Sequence, residues 1–300
     1  MRNIFVIIVN WNGKEDTLAC LTSLGKLKTQ NLKFNSIVID NGSTDGSALA
    51  IRQKFPAVEL IELKDNLGFT GGNNVGIRRA LEAGAELLWL LNNDTIVDKN
   101  ALSILDVFDN TDVGIAGSKI YFAQGREYHK DRYVKNEQGK VIWYAGGIID
   151  WNNMYASHRG VDEVDQGQYD KVEQTSFVTG CSMMVRREVF ERIGLFDERY
   201  YLYLEDVDLC LRAARAGFKI VYVPTSVVWH LNAGSSASGS ELHQYYQTRN
   251  RLLLGKQYAP LRTNIALWRE GLRFISSGSP TRRKAVIDAL FCRYGRRYER

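Results

Sequence analysis

Short apolar, β-branched runs alternate with longer segments in which apolar residues recur every three or four positions, from the start of the chain to about residue 120. The runs predict strands at 4–9, 36–40, 58–63, 87–91 and 113–120. The intervening periodicity predicts helices at 14–24, 45–54, 72–83 and 99–108, several with a Ser, Thr, Asp or Asn ahead of them. Such alternation implies an α/β fold, with a Rossmann-like, mostly parallel central sheet flanked by helices. Beyond it, the polar stretch 123–138 reads as an insertion or flexible loop. Strand-like runs return at 141–149 and 176–186, and an extended segment over 220–229 ends in His230. The Gly/Ser/Ala run 233–240 has the composition of a mobile loop and suggests a lid beside a substrate site.

Ligands of open α/β sheets bind outside the carboxyl ends of the strands. Each of the first four strands ends there in a polar cluster: Asn10-Trp11-Asn12-Gly13, Asp40-Asn41-Gly42-Ser43-Thr44-Asp45, Asn66 to Asn74, and Asn92-Asn93-Asp94. Turn chemistry explains any one of them, because Asn and Asp hydrogen-bond their own backbone in tight loops. Four in succession, converging on one edge, also make a site. Asn92-Asn93-Asp94 is therefore either a turn or a perch for a metal-bound diphosphate. The glycine-rich third cluster opens a helix at about Gly72, whose free amides and dipole suit an anion such as a ribose-diphosphate. It matches neither a Walker loop nor G-x-G-x-x-G, which argues against NTP hydrolysis and dinucleotide binding.

A second feature is Tyr200 to Arg212, in which Glu205, Asp208 and Arg212 share a helical face and Asp206 points elsewhere. Acids at a helix start satisfy the dipole, and Asp208 with Arg212 makes an i,i+4 pair. Adjacent carboxylates among tyrosines and leucines equally suit a partly desolvated general base. His230 is either a simple hydrogen-bonding group or a ligand.

At 300 residues, 45% hydrophobic and 24% charged, the chain can bury a large core. Cys20, Cys181, Cys210 and Cys292 are scattered, with no zinc-ligand spacing and no disulfide framework, which fits a reducing cytosol. The first apolar run is too short for a signal peptide, and none approaches the ~20 residues of a membrane span. From Lys256 to Arg300 there are eleven Lys/Arg against three Asp/Glu, a net +8, while the remainder sums to −3. Interleaved with Trp268, Phe274, Phe291 and Tyr294, this tail is either a solvated helical face or a surface for an anionic membrane. No nucleic-acid partner is expected.

The ordered motifs resemble the family 2 glycosyltransferases over roughly residues 5–256, in particular the bacterial branch containing rhamnosyltransferases. Carrying the likeness are Val9-Asn10-Trp11-Asn12, Ile39 to Asp45, Asn66 to Asn74, Leu91-Asn92-Asn93-Asp94, Gly194-Leu195-Phe196-Asp197-Glu198, Glu205-Asp206-Val207-Asp208 and Tyr245 to Asn250. The resemblance implies the GT-A fold over 1–255, with a nucleotide-sugar half at 1–120 and an acceptor half at 121–255. A basic helical extension, 256–300, lies beyond it. It implies Asp206 as base with Glu205 in support, and Asn10, Asn12, Asp40, Asn66, Gly68, Asn73 and Asn93 at the donor. Asp94 and His230 would hold Mn²⁺ or Mg²⁺, and Arg249 would add a cation on the diphosphate. The family's metal motif is Asp-x-Asp, whereas this chain has Asn92 first, an uncharged and weaker ligand.

The implied reaction is inverting transfer of a sugar from a nucleoside diphosphate, dTDP-rhamnose first and UDP-sugars next, to a hydroxyl of a cell-surface or lipid-linked glycan. The implied setting is the cytoplasm or the inner face of its membrane. A sugar-phosphate nucleotidyltransferase and a non-catalytic carbohydrate-binding protein are the alternatives.

Overall fold

Ile4, Phe5, Val6, Ile7 and Ile8 are all buried, as are Leu87 to Leu91, so both faces of these strands are covered and an alternating pattern would be out of place. The computed structural model describes residues 2–29, 32–231 and 239–298. The expected alternation is present as β1 (Asn3–Asn10), α1 (Lys14–Leu24), β2 (Lys33–Asp40), α2 (Ser47–Lys54), β3 (Glu59–Glu62), α3 (Gly68–Glu82) and β4 (Leu87–Leu91). There follow β5 (Thr95–Val97), a 3-10 helix at Ala101–Asp109, β6 (Val113–Phe122), β7 (Ile142–Tyr144), and the hairpin β8 (Gly147–Asp150) and β9 (Tyr155–His158). Then come β10 (Glu173–Gln174), β11 (Ser182–Arg186), α4 (Arg187–Ile193), α5 (Glu205–Arg215) and β12 (Lys219–His230). Helices α6 (Glu241–Tyr258), α7 (Leu261–Ser277) and α8 (Pro280–Leu290) close the chain.

The main sheet runs β10-β12-β6-β11-β4-β1-β2-β3, with β5 added on β12 and β7 on β6. The pairs β1/β2, β1/β4, β2/β3 and β6/β12 are parallel. Strand β11 enters antiparallel between β4 and β6, so the two expected halves share one sheet. Asn10 lies level with Asp40, and His230 with Phe122 and Thr95, which puts these polar residues along one edge.

Several expected elements shift. Helix α3 starts at Gly68 and not at about Gly72, because the Asn41 and Asn66 carboxamide oxygens accept the Leu67 and Gly68 amides (2.9 and 2.8 Å) and fix the first turn earlier. The 99–108 segment is a 3-10 helix, and the 141–149 run breaks at Gly146, which has φ +112°. Of the 176–186 run only Ser182 onward pairs as a strand. Strand β12 passes through Pro224 by shifting register between Val223 and Val227, as a residue without an N–H requires.

Helix α6 runs across residue 255, and the basic tail folds back onto the body. Leu267 occupies the space a side chain at Gly255 would need, and Leu267, Val286 and Ala289 join the main core. Beyond α8 the chain returns to α6, where the Tyr246 hydroxyl accepts the Arg297 and Tyr298 amides (3.3 and 3.4 Å). Among the described residues no helix is long and apolar enough to cross a membrane.

Candidate active site

The first two strand-end loops are stitched together by side chains. Asn10 is fully buried; its Nδ2 donates to Asp40 Oδ2 (3.2 Å) and Ser43 Oγ (3.1 Å), and its Oδ1 accepts from the Gly13 amide (3.2 Å) and Thr17 Oγ1 (2.8 Å). That uses both protons and both principal acceptor directions of the amide, so Asn10 holds the edge in shape. Asn12, at φ +51°, accepts the Thr44 amide at 2.7 Å, and Asp45 accepts the Lys14 amide at 3.0 Å. Asp40, nearly buried, also accepts the Ser43 amide (2.8 Å). A Cβ at Gly13 would stand 2.4 Å from Asn93 Nδ2, so glycine alone lets Asn93 approach and donate to Thr17 Oγ1 at 3.0 Å.

The expected anion cradle at the start of α3 is not free. The Leu67 and Gly68 amides go to side chains, and the Thr70 amide to the Tyr201 carbonyl (3.3 Å). Gly68, at φ +73°, is a packing requirement, since a Cβ there would lie 2.4 Å from the Tyr201 ring. Asn73 is buried and bonds the Phe69 carbonyl (2.9 Å), and Asn74 ties α3 to Phe196 and Glu198.

Asn92-Asn93-Asp94 is a tight connection between β4 and β5, and it also aims a carboxylate into the site. Asp94 Oδ2 lies 3.1 Å from His230 Nε2, while Asp94 Oδ1 and His230 Nδ1 are buried without a hydrogen-bond partner among the described residues. A buried carboxylate oxygen left unsatisfied is costly unless something pairs with it. Among the described residues no three His, Cys, Asp or Glu side chains gather closely enough to hold an ion. Asp94 and His230 thus form a carboxylate–imidazole pair, a donor chemistry that would suit Mn²⁺ if substrate oxygens completed the shell. Asp16, which the sequence reading did not single out, faces the same pair. Burial and then the nearby Asp94 raise its carboxyl above the usual range, and Arg126 from the polar insertion opposes them.

Asp206 stands in the first turn of α5, where Oδ2 accepts the Gly180 amide (3.0 Å) and Oδ1 the Val207 amide (2.8 Å). The carbonyl of the next residue, Cys181, accepts the Asn92 amide (3.0 Å). One short segment therefore bridges the Asp206 carboxylate to the Asp94 turn. Burial raises the Asp206 carboxyl, and the amide bonds from Gly180 and Val207 partly offset it. Glu205 is buried with Oε2 unpartnered among the described residues, and burial, reinforced by Asp206, pushes it well above the usual range.

A Glu205 carboxyl that stays protonated in the fold but ionises in the unfolded chain stabilises the protein fully below 4.5, its unfolded value, and loses that contribution as pH rises towards the folded value. Glu205→Gln is therefore expected to flatten the fall in stability above pH 4.5, which in the wild type approaches about 1.4 kcal/mol per pH unit, and with it the fall in melting temperature. Parallel melting curves for the two proteins across this range would count against a neutral Glu205.

The turn entering α5 is strained: Tyr201, Tyr203 and Leu204 have φ of 64°, 70° and 68°. Asn250 Nδ2 holds it by donating to the carbonyls of Tyr200, Leu202 and Tyr203 (3.0, 2.8 and 2.8 Å). Arg249 is fully buried beside it. Its guanidinium bonds the carbonyls of Arg199 (2.9 Å), Tyr200 (2.8 Å) and Gly295 (2.6 Å) and Asn250 Oδ1 (2.9 Å), with the Tyr246 ring 4.8 Å away. Arg249 is therefore not available to a diphosphate, which corrects the role expected for it. Asp208 is likewise structural, paired with Arg212 (2.8 Å) and accepting the Tyr258 hydroxyl (2.6 Å). Residues 233–238 of the expected lid lie outside the described residues, and Ser240 caps α6.

The sequence reading held Asn41, Ser43 and Asn74 within its polar clusters without giving them roles, and it missed Thr17 and Gly180. Thr17 carried a signal of a kind, one helical turn beyond the Asn10 cluster, whereas Gly180 had none.

The chain is 28% identical to an N-acetylglucosaminyl-diphospho-decaprenol L-rhamnosyltransferase of Mycobacterium tuberculosis, over 87% of this chain and 85% of that one. It is 28% identical to a dTDP-rhamnosyl transferase of Shigella flexneri, over 88% and 83%. Its fold resembles that of a mannosyltransferase from Pyrobaculum calidifontis in complex with GDP-Man and Mn²⁺, with a TM-score of 0.57 and 16% identity over 97% of this chain and 75% of that one. Residues 2–255 match the model of the family described as "Glycosyltransferase like family 2", and with the sheet edge, the Asp94 turn and the Asp206 helix arranged as above, the chain belongs to that family of GT-A enzymes.

Proposed function

We propose that this glycosyltransferase moves rhamnose from dTDP-rhamnose, with inversion, to a hydroxyl of a lipid-linked cell-surface glycan; a UDP-sugar is the second choice of donor. The Gly180–Cys181 bridge, which links the Asp206 carboxylate to the Asp94 turn, is the observation that best supports this reading. The names and coverage of the two rhamnosyl-transferring relatives support the donor.

In the reaction the acceptor oxygen forms a bond to the anomeric carbon as the bond from that carbon to the diphosphate oxygen breaks. The acceptor proton passes to Asp206, and the nucleoside diphosphate leaves with the electron pair. A divalent ion held by Asp94 and His230 would supply positive charge to that leaving group. Asn93 and Asp40 line the donor side, with Asn12 and Asn66 at its rim, while Asn10, Gly68 and Asn73 hold the loops in place.

Thermal shift with dTDP-, UDP- and GDP-sugars, each with Mn²⁺ or Mg²⁺, tests the donor, because a ligand that binds only the folded chain raises its melting temperature. The proposal expects dTDP-rhamnose with Mn²⁺ to give the largest shift, and dTDP release on adding a polyprenyl-diphosphate-linked sugar. A larger shift with a GDP-sugar, or pyrophosphate release from an NTP and a sugar phosphate, would replace it. Asp94→Ala is expected to weaken the metal-dependent part of donor binding by about tenfold or more while the ligand-free protein melts as before. An unchanged Mn²⁺ titration would remove Asp94 from the metal.

A further inference from the structure

Helix α7 lies past the residues that match the family, and one of its faces has no partner among the described residues. Leu261, Ile265 and Leu272 are 77%, 45% and 55% exposed, far from the usual fate of such residues in a helix that packs on a core. At about 100° per residue these three fall in one narrow stripe, extended by the half-buried Trp268 and Ile275. Arg262, Arg269 and Arg273, all exposed, form a second stripe directly beside it. The acid of this helix, Glu270, points away and is paired with Arg251 at 3.0 Å.

Arg251 also fixes what stands next to the helix. It donates to the Asn153 carbonyl (2.9 and 2.7 Å) and stacks over Tyr155 (3.9 Å), which pins the β8–β9 hairpin to the α6–α7 pair. That hairpin exposes Ile148, Trp151 and Tyr155. Aromatic residues of this kind are enriched where a protein meets the headgroup layer of a bilayer.

We propose that the outward face of α7 rests on an anionic lipid surface, with its leucine and isoleucine stripe at the acyl boundary and its three arginines among the headgroups. Charge complementarity selects this occupant: the basic excess of the chain sits in its last 45 residues, and the rest sums to a small net negative charge. A helix with an apolar stripe flanked by arginines, too short and too charged to span, lies in the interface plane. The rest of the basic tail has other work, since α8 packs on α6 and α7 and Arg296 reaches the Asn66 carbonyl (3.3 Å).

The test is flotation of the full chain with phosphatidylcholine vesicles, with and without phosphatidylglycerol. Binding is expected only with phosphatidylglycerol, and it should weaken as salt is added. Arg262→Glu, Arg269→Glu and Arg273→Glu together should reduce it by about 100-fold or more, from roughly fivefold per arginine lost. Leu261→Asp with Leu272→Asp should abolish it, with unchanged melting temperature and unchanged shift by donor and Mn²⁺ showing that the variant is folded. Equal binding to neutral vesicles, or variants that float like the wild type, would overturn the proposal. So would a dimer in size-exclusion chromatography that the Leu261/Leu272 variant splits, because the face would then belong to a second copy. The flotation readout involves neither donor nor acceptor, so a negative result leaves the transfer reaction above untouched.

Discussion

Asp206→Asn is expected to lower sugar transfer by ~10²–10⁴-fold, the span that one positioned base supplies, while donor affinity stays near the wild-type value. The amide keeps the size of the carboxylate, and its oxygen can still accept one of the two amides that hold the side chain, from Gly180 and Val207. What it loses is the capacity to take the acceptor's proton. The same chemistry sets the sign of the pH dependence: the base works when ionised, so kcat/KM falls as pH is lowered through its folded value, and burial places that limb above the ordinary 3.8. Donor binding by thermal shift and transfer by dTDP release separate the two effects. A variant that turns over within a few-fold of the wild type, or that loses donor affinity in parallel with rate, would take the proton-accepting role away from Asp206.

The legible part of this protein was what periodicity and strand-end chemistry encode. Strand β4 was placed to the residue because a continuous apolar run ends abruptly at Asn92, and the sheet edge followed because Asn10 and Asp40 end such runs and Asp94 closely follows one. Illegible was which amides of a polar cluster are already satisfied. Asn66-Leu67-Gly68 reads like an anion-binding helix start, but the capping oxygens come from Asn66 itself and from Asn41, which lies in another loop. Contacts of long sequence separation also lie behind the misreading of Arg249: its partners at Arg199, Tyr200 and Gly295 are about 50 residues away on either side. A basic residue after a glycine-rich run looks like a phosphate ligand until its carbonyls are found. Strand β11 was read within the 176–186 run, but its place in the sheet was hidden for a related reason, since an antiparallel strand inserted between β4 and β6 interrupts the strand-helix-strand pattern that revealed the rest.

Arg249→Leu separates a positioning role from a ligand role. Removing the guanidinium leaves the buried carbonyls of Arg199, Tyr200 and Gly295 without its donors, a loss on the order of 3 kcal/mol or more. For a chain of 300 residues that corresponds to a fall in melting temperature of about 5 °C. The three left-handed residues that enter α5 are held by this arginine and Asn250, so the second consequence falls on the placement of Asp206 at the head of that helix. Measured well below the lowered melting temperature, the variant should show reduced kcat and near-normal donor affinity. Arg249→Lys should not rescue it, because three protons on one atom cannot reach the Arg199–Tyr200 turn and Gly295 together. A cation serving the diphosphate would behave in the opposite way, with an unchanged melting temperature and weakened donor binding that lysine partly restores, and that outcome would return Arg249 to the donor site.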